Sequence, residues 1–473
     1  MLFTSPVFIL FFLIVFLFSR LPLNWSLRKS LLLVASYFFY ASWNPPFVIL
    51  LWVSTLIDYA VALKLGRTES KHARKALLGV SIFVNLGILC AFKYANFMSE
   101  SFADFVGLAG WNVQYTTWSI VLPLGISFYT FQTMSYTIDV YRNKLKPTRN
   151  LLDFALYVTF FPQLVAGPIV RATDFLWQLK EPRRATSPQV YWGVLLFILG
   201  LFKKAFLADA VFAPIADVVY ATGATPSALQ AWVGTYAFAG QIYCDFSGYT
   251  DMAIACALIL GFRLPDNFRA PYGAIGFSDF WRRWHISLSS WLRDYLYVPL
   301  GGNRKGRFRT RLNLLVTMLL GGLWHGAAWT FVAWGALHGV YLGAERVVRR
   351  FVPERFGASR LAKALLVLLT FHFVCFGWIL FRAETFSDAA SLISVMSGLQ
   401  QSIGLPSFSR WDAGLVMLAM GGLVVIHSLC RERRVEDLSA QASWLVTAGV
   451  ASVMLFLAVT AGDRGVEFIY FQF

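Results

Sequence analysis

The sequence predicts an all-α, polytopic integral membrane protein with about 11 transmembrane helices, plus re-entrant and interfacial helices. Three observations predict it. The 473 residues are 58% hydrophobic, with a mean hydropathy of +0.59. Apolar runs of roughly 20 residues, the length that spans a bilayer, recur along the whole chain. The excess positive charge, 41 Lys and Arg against 25 Asp and Glu for a net +16, sits in short loops between those runs. In that setting basic residues report topology and contact with anionic headgroups rather than nucleic acid. The five cysteines, Cys90, Cys244, Cys256, Cys375 and Cys430, show neither metal spacing nor a disulfide framework.

In chain order the candidate spans are 5–19, 30–43, 47–63, 76–95, 118–140, 151–170, 189–207, 228–261, 312–345, 361–381, 412–430 and 441–461. The run Phe8 to Phe18 lacks a preceding basic region and a following A-x-A site, so it reads as a retained span and not a cleaved signal. Pro123, Pro162, Pro168 and Pro214 interrupt apolar runs, and broken backbone at membrane depth needs protein or water around it. Basic loops flank both ends of Leu151 to Arg171, which reads as a re-entrant hairpin. Arg20, Arg28 and Lys29, then Lys64 to Lys75, mark cytoplasmic loops by the positive-inside rule. Asn96 to Thr117, without Lys or Arg, is an external loop. Both termini then lie on the outer side. No repeat or soluble domain is visible, so residues 1–473 read as a single transmembrane domain.

The chemistry-bearing residues gather between Ser278 and Gly339. Ionisable groups in apolar segments are costly, and their default reading is function. If 281–289 is helical, Trp281, His285 and Ser289 share one face at i, i+4 and i+8. The surrounding aromatics and arginines suit a helix at the headgroup boundary. In GGLWHGAAW, small residues flank His325 and let neighbouring backbones approach closely. A neutral imidazole there can accept a hydroxyl proton near neutral pH. His338 reads as helix packing. The loop GGNRKGRFRTR offers Arg304, Lys305 and Arg307 as candidates for the phosphates of a cofactor, against the plainer reading of topology. Asp245, Ser247 and Asp251 must be paired if buried, either as a clamp between helices or as a cavity lining. No HExxH, GxSxG or P-loop is present, so chemistry would rest on histidine with hydroxyl or carboxylate helpers and no metal.

The motifs FWRRWHISLSSWLRDYLYVPLGGN, GGLWHG, YCDFSGYTDMAI, LPDNFRAPY, FPQLVAGPIVR and terminal FIYFQF together resemble the bacterial branch of the membrane-bound O-acyltransferases. The resemblance implies a multi-helix disc with a central tunnel. It places the family histidines on His325 and His285. It implies an acyl group, acetyl from acetyl-CoA, passed from a cytoplasmic thioester across the inner membrane to an exported, alginate-like polysaccharide. The thioester is then a substrate, and no cofactor is bound permanently. A periplasmic SGNH-like acetyltransferase and a polysaccharide synthesis or export complex are the implied partners. Peptidoglycan O-acetylation and teichoic acid D-alanylation are the related alternatives. Phe468, Tyr470 and Phe473 match a terminal F-x-Y-x-x-F motif, which makes Tyr470 an acyl-carrier candidate; the plainer reading is an aromatic interface anchor. Two readings of other classes are a transporter, which inverted repeats would favour, and an export-complex scaffold. Thioester hydrolysis or acyl transfer by the purified protein separates both from an enzyme.

Overall fold

The computed structural model describes every residue except 112–114, 116, 166, 222, 225, 352–358, 401–407, 463–467 and 470–473. The described residues are helical or irregular, with no strand among them. Five of their helices are long and apolar enough to cross a membrane: Pro45–Leu65, Lys71–Gly107, Arg360–Arg382, Arg410–Leu429 and Trp444–Ala461. The chain divides into two compact units, residues 1–193 with 253–265 and residues 194–252 with 266–473.

In the first unit, α1 (Pro6–Arg20) and α2 (Trp25–Ala41) begin at Ser5 and Asn24, whose side chains accept the backbone N–H groups of Phe8 and Leu27. These caps satisfy donors that a helix start leaves open. Next come α3 (Val48–Leu65), α4 (Lys71–Gly107), α5 (Ile126–Tyr141) and α6 (Leu151–Thr159). Asp58 of α3 is fully buried and accepts from Ser81, from Asn85 Nδ2 at 2.8 Å and from Thr137 Oγ1 at 3.1 Å. Three neutral donors thus satisfy one buried carboxyl group and fasten α3, α4 and α5 together.

Several spans differ from the sequence reading. Helix α4 continues through a π-helical turn at Cys90–Tyr94, so 96–107 is helix and not loop. Its 37 residues extend ~55 Å, well beyond a ~30 Å hydrocarbon core. Residues 118–124 are irregular, and α5 starts only after Gly125, whose φ is +72°. A Cβ at Gly125 would strike the Leu164 carbonyl, so only glycine fits there. The Leu151 to Arg171 segment is two short helices, α6 and Phe161–Leu164, separated at Phe160; nine residues are too few to cross.

The second unit follows from α7 (Ser187–Leu201), which the unit boundary cuts, through a π-helical run at Phe202–Phe212 into α8 (Ala213–Val219). Pro214 does not break this run. It falls in the first turn of α8, where its missing N–H costs least. Helix α9 (Ala228–Ile259) is also cut by the boundary. Then come α10 (Phe277–Phe280), α11 (Ile286–Leu292), α12 (Gly306–His325), α13 (Trp329–Val348) and α14 (Arg360–Arg382). Last are α15 (Phe386–Met396), α16 (Arg410–Leu429) and α17 (Trp444–Ala461). Capping boxes at Thr385/Asp388 and Ser409/Asp412 start α15 and α16. The sequence reading missed α15, whose 11 residues are too short to register as a span.

The predicted span 312–345 is a hairpin, because extended backbone at Gly326 and Ala328 reverses the chain between α12 and α13. Glycines let the two helices touch. A Cβ on Gly322 would collide with the Phe331 carbonyl, and one on Gly335 with the Met318 carbonyl. Small residues at the contact are what close helix packing requires.

Candidate active site

Within the second unit the structure brings His285 and His325 together. Their ring centroids lie 6.2 Å apart with planes inclined at 62°. Both are buried, at 0% and 2% exposure. His325 is the last residue of α12, placed by the hairpin that the glycines allow. Trp324, Trp334 and Phe381 surround it at 5.0, 5.1 and 5.5 Å between ring centroids.

His285 does not sit on a continuous helix with Trp281 and Ser289. The chain turns between α10 and α11, and His285 takes a left-handed conformation with φ +42°. The shared face expected for those three residues is therefore absent. Such a conformation is unusual for a residue with a Cβ and persists only where its surroundings enforce it. The LPDNFRAPY loop does so: the carbonyl of Asn267 accepts from Ile286 N–H at 2.9 Å, and Arg269 N–H donates to the carbonyl of Arg283, also at 2.9 Å. Arg283, read from sequence as a headgroup contact, is instead buried. It bonds Asp279 at 3.0 Å and the Arg431 carbonyl at 2.7 Å.

Asn267 also sets the tautomer of His285. Its Oδ1 accepts Ser287 N–H at 3.2 Å and Ser287 Oγ–H at 2.9 Å, and lies 3.2 Å from His285 Nδ1. A backbone N–H can only donate, so the atom it meets is the amide oxygen. His285 Nδ1 therefore carries a proton, and Nε2 carries the lone pair. Burial pushes this imidazole down to about 3, so it is neutral at physiological pH. A neutral, oriented imidazole at His285 beside the buried ring of His325, in an aromatic enclosure, forms a pair that can take and return a proton without first shedding water.

His338, on α13, is fully buried against Trp281 at 5.2 Å and Trp334 at 4.9 Å. Neither of its ring nitrogens has a hydrogen-bond partner among the described residues. Trp334 touches both His325 and His338, so the two histidines are linked through one indole. Arg304, Lys305 and Arg307 are exposed at the opposite end of α12 from His325. A separation of 18 positions (325 − 307) along the helix puts ~27 Å between Arg307 and His325. The structure does not gather these cations at the histidines, so a donor using both would have to lie extended along α12.

Tyr470 lies outside the described residues. The two residues before it are buried. Phe468 packs on Tyr249 at 4.5 Å and Phe246 at 5.7 Å, and Phe246 in turn lies 4.7 Å from His285. Ile469 N–H donates to Asp245 Oδ2 at 2.7 Å. Asp245 Oδ1 pairs with Lys204 at 2.7 Å, Lys204 also pairs with Asp209 at 2.8 Å, and Asp251 pairs with Lys203 at 2.6 Å. Asp245 and Asp251 thus clamp α9 to the π-helical run, and Asp245 additionally anchors the tail. Sequence reasoning overlooked Lys203, Lys204 and Asn267. The two lysines carried a signal, since they are cations inside an apolar run. Asn267 carried none, because an asparagine in a proline-rich loop is ordinary.

A multi-pass α-helical membrane protein with paired buried histidines is the class that fold and site define. The family can be named from comparison: the sequence profile of the membrane-bound O-acyltransferase family, MBOAT, matches residues 143–383. A probable alginate O-acetylase, AlgI, of Pseudomonas putida is 45% identical over 84% of this chain and 80% of its own length. The peptidoglycan O-acetyltransferase of Helicobacter pylori is 34% identical over 100% of this chain and 98% of its own. The teichoic acid D-alanyltransferase of Bacillus subtilis is 26% identical over 57% of this chain and 70% of its own. The chain belongs to the membrane-bound O-acyltransferase family and is a membrane O-acyltransferase, as the resemblance of its motifs implied.

Proposed function

We propose that this protein moves an acetyl group from cytoplasmic acetyl-CoA across the inner membrane for O-acetylation of an exported, alginate-like polysaccharide. The observation that carries this reading is the buried pair His285 and His325 beside an anchored C-terminal tail. The similarity to alginate O-acetylases over most of the chain supports the acyl group and the polymer. Peptidoglycan as the acceptor is the second reading, favoured by the full-length match to the H. pylori enzyme.

In the first step the thioester C–S bond breaks and an ester C–O bond forms to an acceptor hydroxyl. His325 takes the hydroxyl proton and returns it to the departing thiolate, with His285 orienting the donor or His325. Arg304, Lys305 and Arg307 meet the donor's phosphates. Tyr470 is the first acceptor, because the residue before it is bonded to Asp245 and Phe468 reaches the ring that touches His285. A second transfer then moves the acetyl group from the phenolic oxygen to a periplasmic SGNH-like acetyltransferase working with the polysaccharide synthesis and export complex. The positive-inside count supports both termini lying outside, on the side where that second transfer occurs.

The test is reconstitution in vesicles with radiolabelled acetyl-CoA supplied only on the side bearing the basic loops. Label retained on the protein, and absent from a His325→Ala variant, is the expected result. Label incorporated equally well from the opposite side rejects the direction of transfer.

A further inference from the structure

The groove between α1 and α2, inside the first unit, has a volume of about 430 Å³. Leu10, Ile14, Phe18, Leu31, Val34 and Phe38 line it. Among the described residues the charged side chain in its lining is that of Arg28, which is only 4% exposed. Arg28 Nη1 donates to the Arg183 carbonyl at 2.5 Å and Nη2 to the Leu260 carbonyl at 3.4 Å. Its Nε has no hydrogen-bond partner among the described residues, nor does Nε of Arg183. Arg20 and Arg184 are close enough to repel Arg28. They bond the carbonyls of Ala185 at 3.5 Å and Leu21 at 3.2 Å. Among the described residues none of these four guanidiniums is paired with a carboxylate, whereas neighbouring Lys29 has Asp153. Clustered cations at the end of an apolar groove, one of them buried, call for an anion that brings its own apolar body.

We propose that this groove holds one anionic phospholipid, with its phosphate on Arg28, Arg20 and Arg184 and an acyl chain between α1 and α2. The lining stripe from Val7 to Phe18 covers ~16 Å of helix. That matches the ~15 Å hydrocarbon depth of one leaflet. A soluble thioester fits worse, because its amide groups would lie along the apolar stretch from Leu10 to Phe18. The site goes beyond acyl transfer and stands or falls separately from it.

The test uses the full-length protein in detergent, with dioleoyl-phosphatidylglycerol or dioleoyl-phosphatidylcholine added before native mass spectrometry. One phosphatidylglycerol is retained in preference to phosphatidylcholine. Arg20→Gln and Arg184→Gln each weaken retention about 5-fold, the factor equivalent to the ~1 kcal/mol that each cation contributes near an anionic lipid. Ala35→Trp fills the groove, leaves the charges in place and removes the lipid. Arg28 stays untouched because it ties α2 to two carbonyls, and a melting curve for each variant separates a lost site from a lost fold. Equal retention of the two lipids, or undiminished retention by a folded Arg20→Gln/Arg184→Gln double variant, overturns the proposal. Displacement of the lipid by millimolar coenzyme A does so too, since it would assign the cations to a soluble phosphate.

Discussion

The imidazoles of His285 and His325 lie 6.2 Å apart between ring centroids, although 40 residues (325 − 285) separate them in sequence. Each gets there by a different route. His325 ends a helix that is pressed by glycines against its neighbour. His285 sits in a left-handed turn stitched to the Asn267 loop.

His325→Ala removes the proposed general base. Loss of such a group typically costs 10²–10⁴-fold. Acetylation of exported polymer should fall by about that factor while the protein still reaches the membrane. Near-normal acetylation in cells with normal protein levels rejects the assignment.

His285→Gln tests the neutral buried imidazole through stability. Its folded-state value, about 3, lies below the ordinary value of roughly 6.5. On acidification the unfolded chain therefore takes up the proton first, and folding stability falls as pH drops below about 6.5. The loss approaches about 1.4 kcal/mol per pH unit for this group. The stability gap between the wild type and His285→Gln should thus narrow from pH 7 to pH 5 in one detergent. A gap that is constant across that range means that protonation of His285 is not coupled to folding.

Asp245→Ala cuts the anchor of the tail. It takes from Ile469 N–H the carboxylate that accepts it and from Lys204 one of the carboxylates paired with it. The C-terminal residues should become accessible to carboxypeptidase, and acetylation should fall. Asp245→Asn, whose amide oxygen can still accept from Ile469, should keep the tail protected. Equal protection in the wild type and the alanine variant removes Asp245 from this role.

Tyr470→Phe keeps the ring and deletes only the hydroxyl. Under the relay it abolishes acetylation and label retention, while protein level and melting are unchanged. Acetylation at the wild-type rate leaves the tail as an aromatic anchor and the relay wrong.

Gly322→Ala puts a methyl group onto the Phe331 carbonyl. The hairpin has to open to admit it, and overpacking of this kind typically costs about 1–3 kcal/mol. A lower melting temperature is expected, with activity lost because His325 ends the same helix. Gly343→Ala, with nothing within 4 Å of the added carbon, should be neutral and serves as the control.

By itself the sequence determined the class of the protein. Hydropathy depends on composition along a single segment, so α1, α3, α14, α16 and α17 could be read within a few residues of their ends. Intramembrane ionisable residues are costly wherever the chain goes, so His285, His325, Asp245 and Asp251 stood out without any knowledge of contacts. Only the tertiary structure decided how they are used. The left-handed turn at His285 depends on hydrogen bonds to a loop 18 residues away (285 − 267), and helical periodicity gives the wrong face there. The splitting of 312–345 into a hairpin depends on glycine contacts between two helices, which no hydropathy window registers. Asp245 had two readings, clamp or cavity lining, until its partners, Lys204 41 residues away (245 − 204) and Ile469 224 residues away (469 − 245), were known. Helix formation is local, whereas pairing a buried charge is a long-range requirement that the sequence poses and only the packed chain answers.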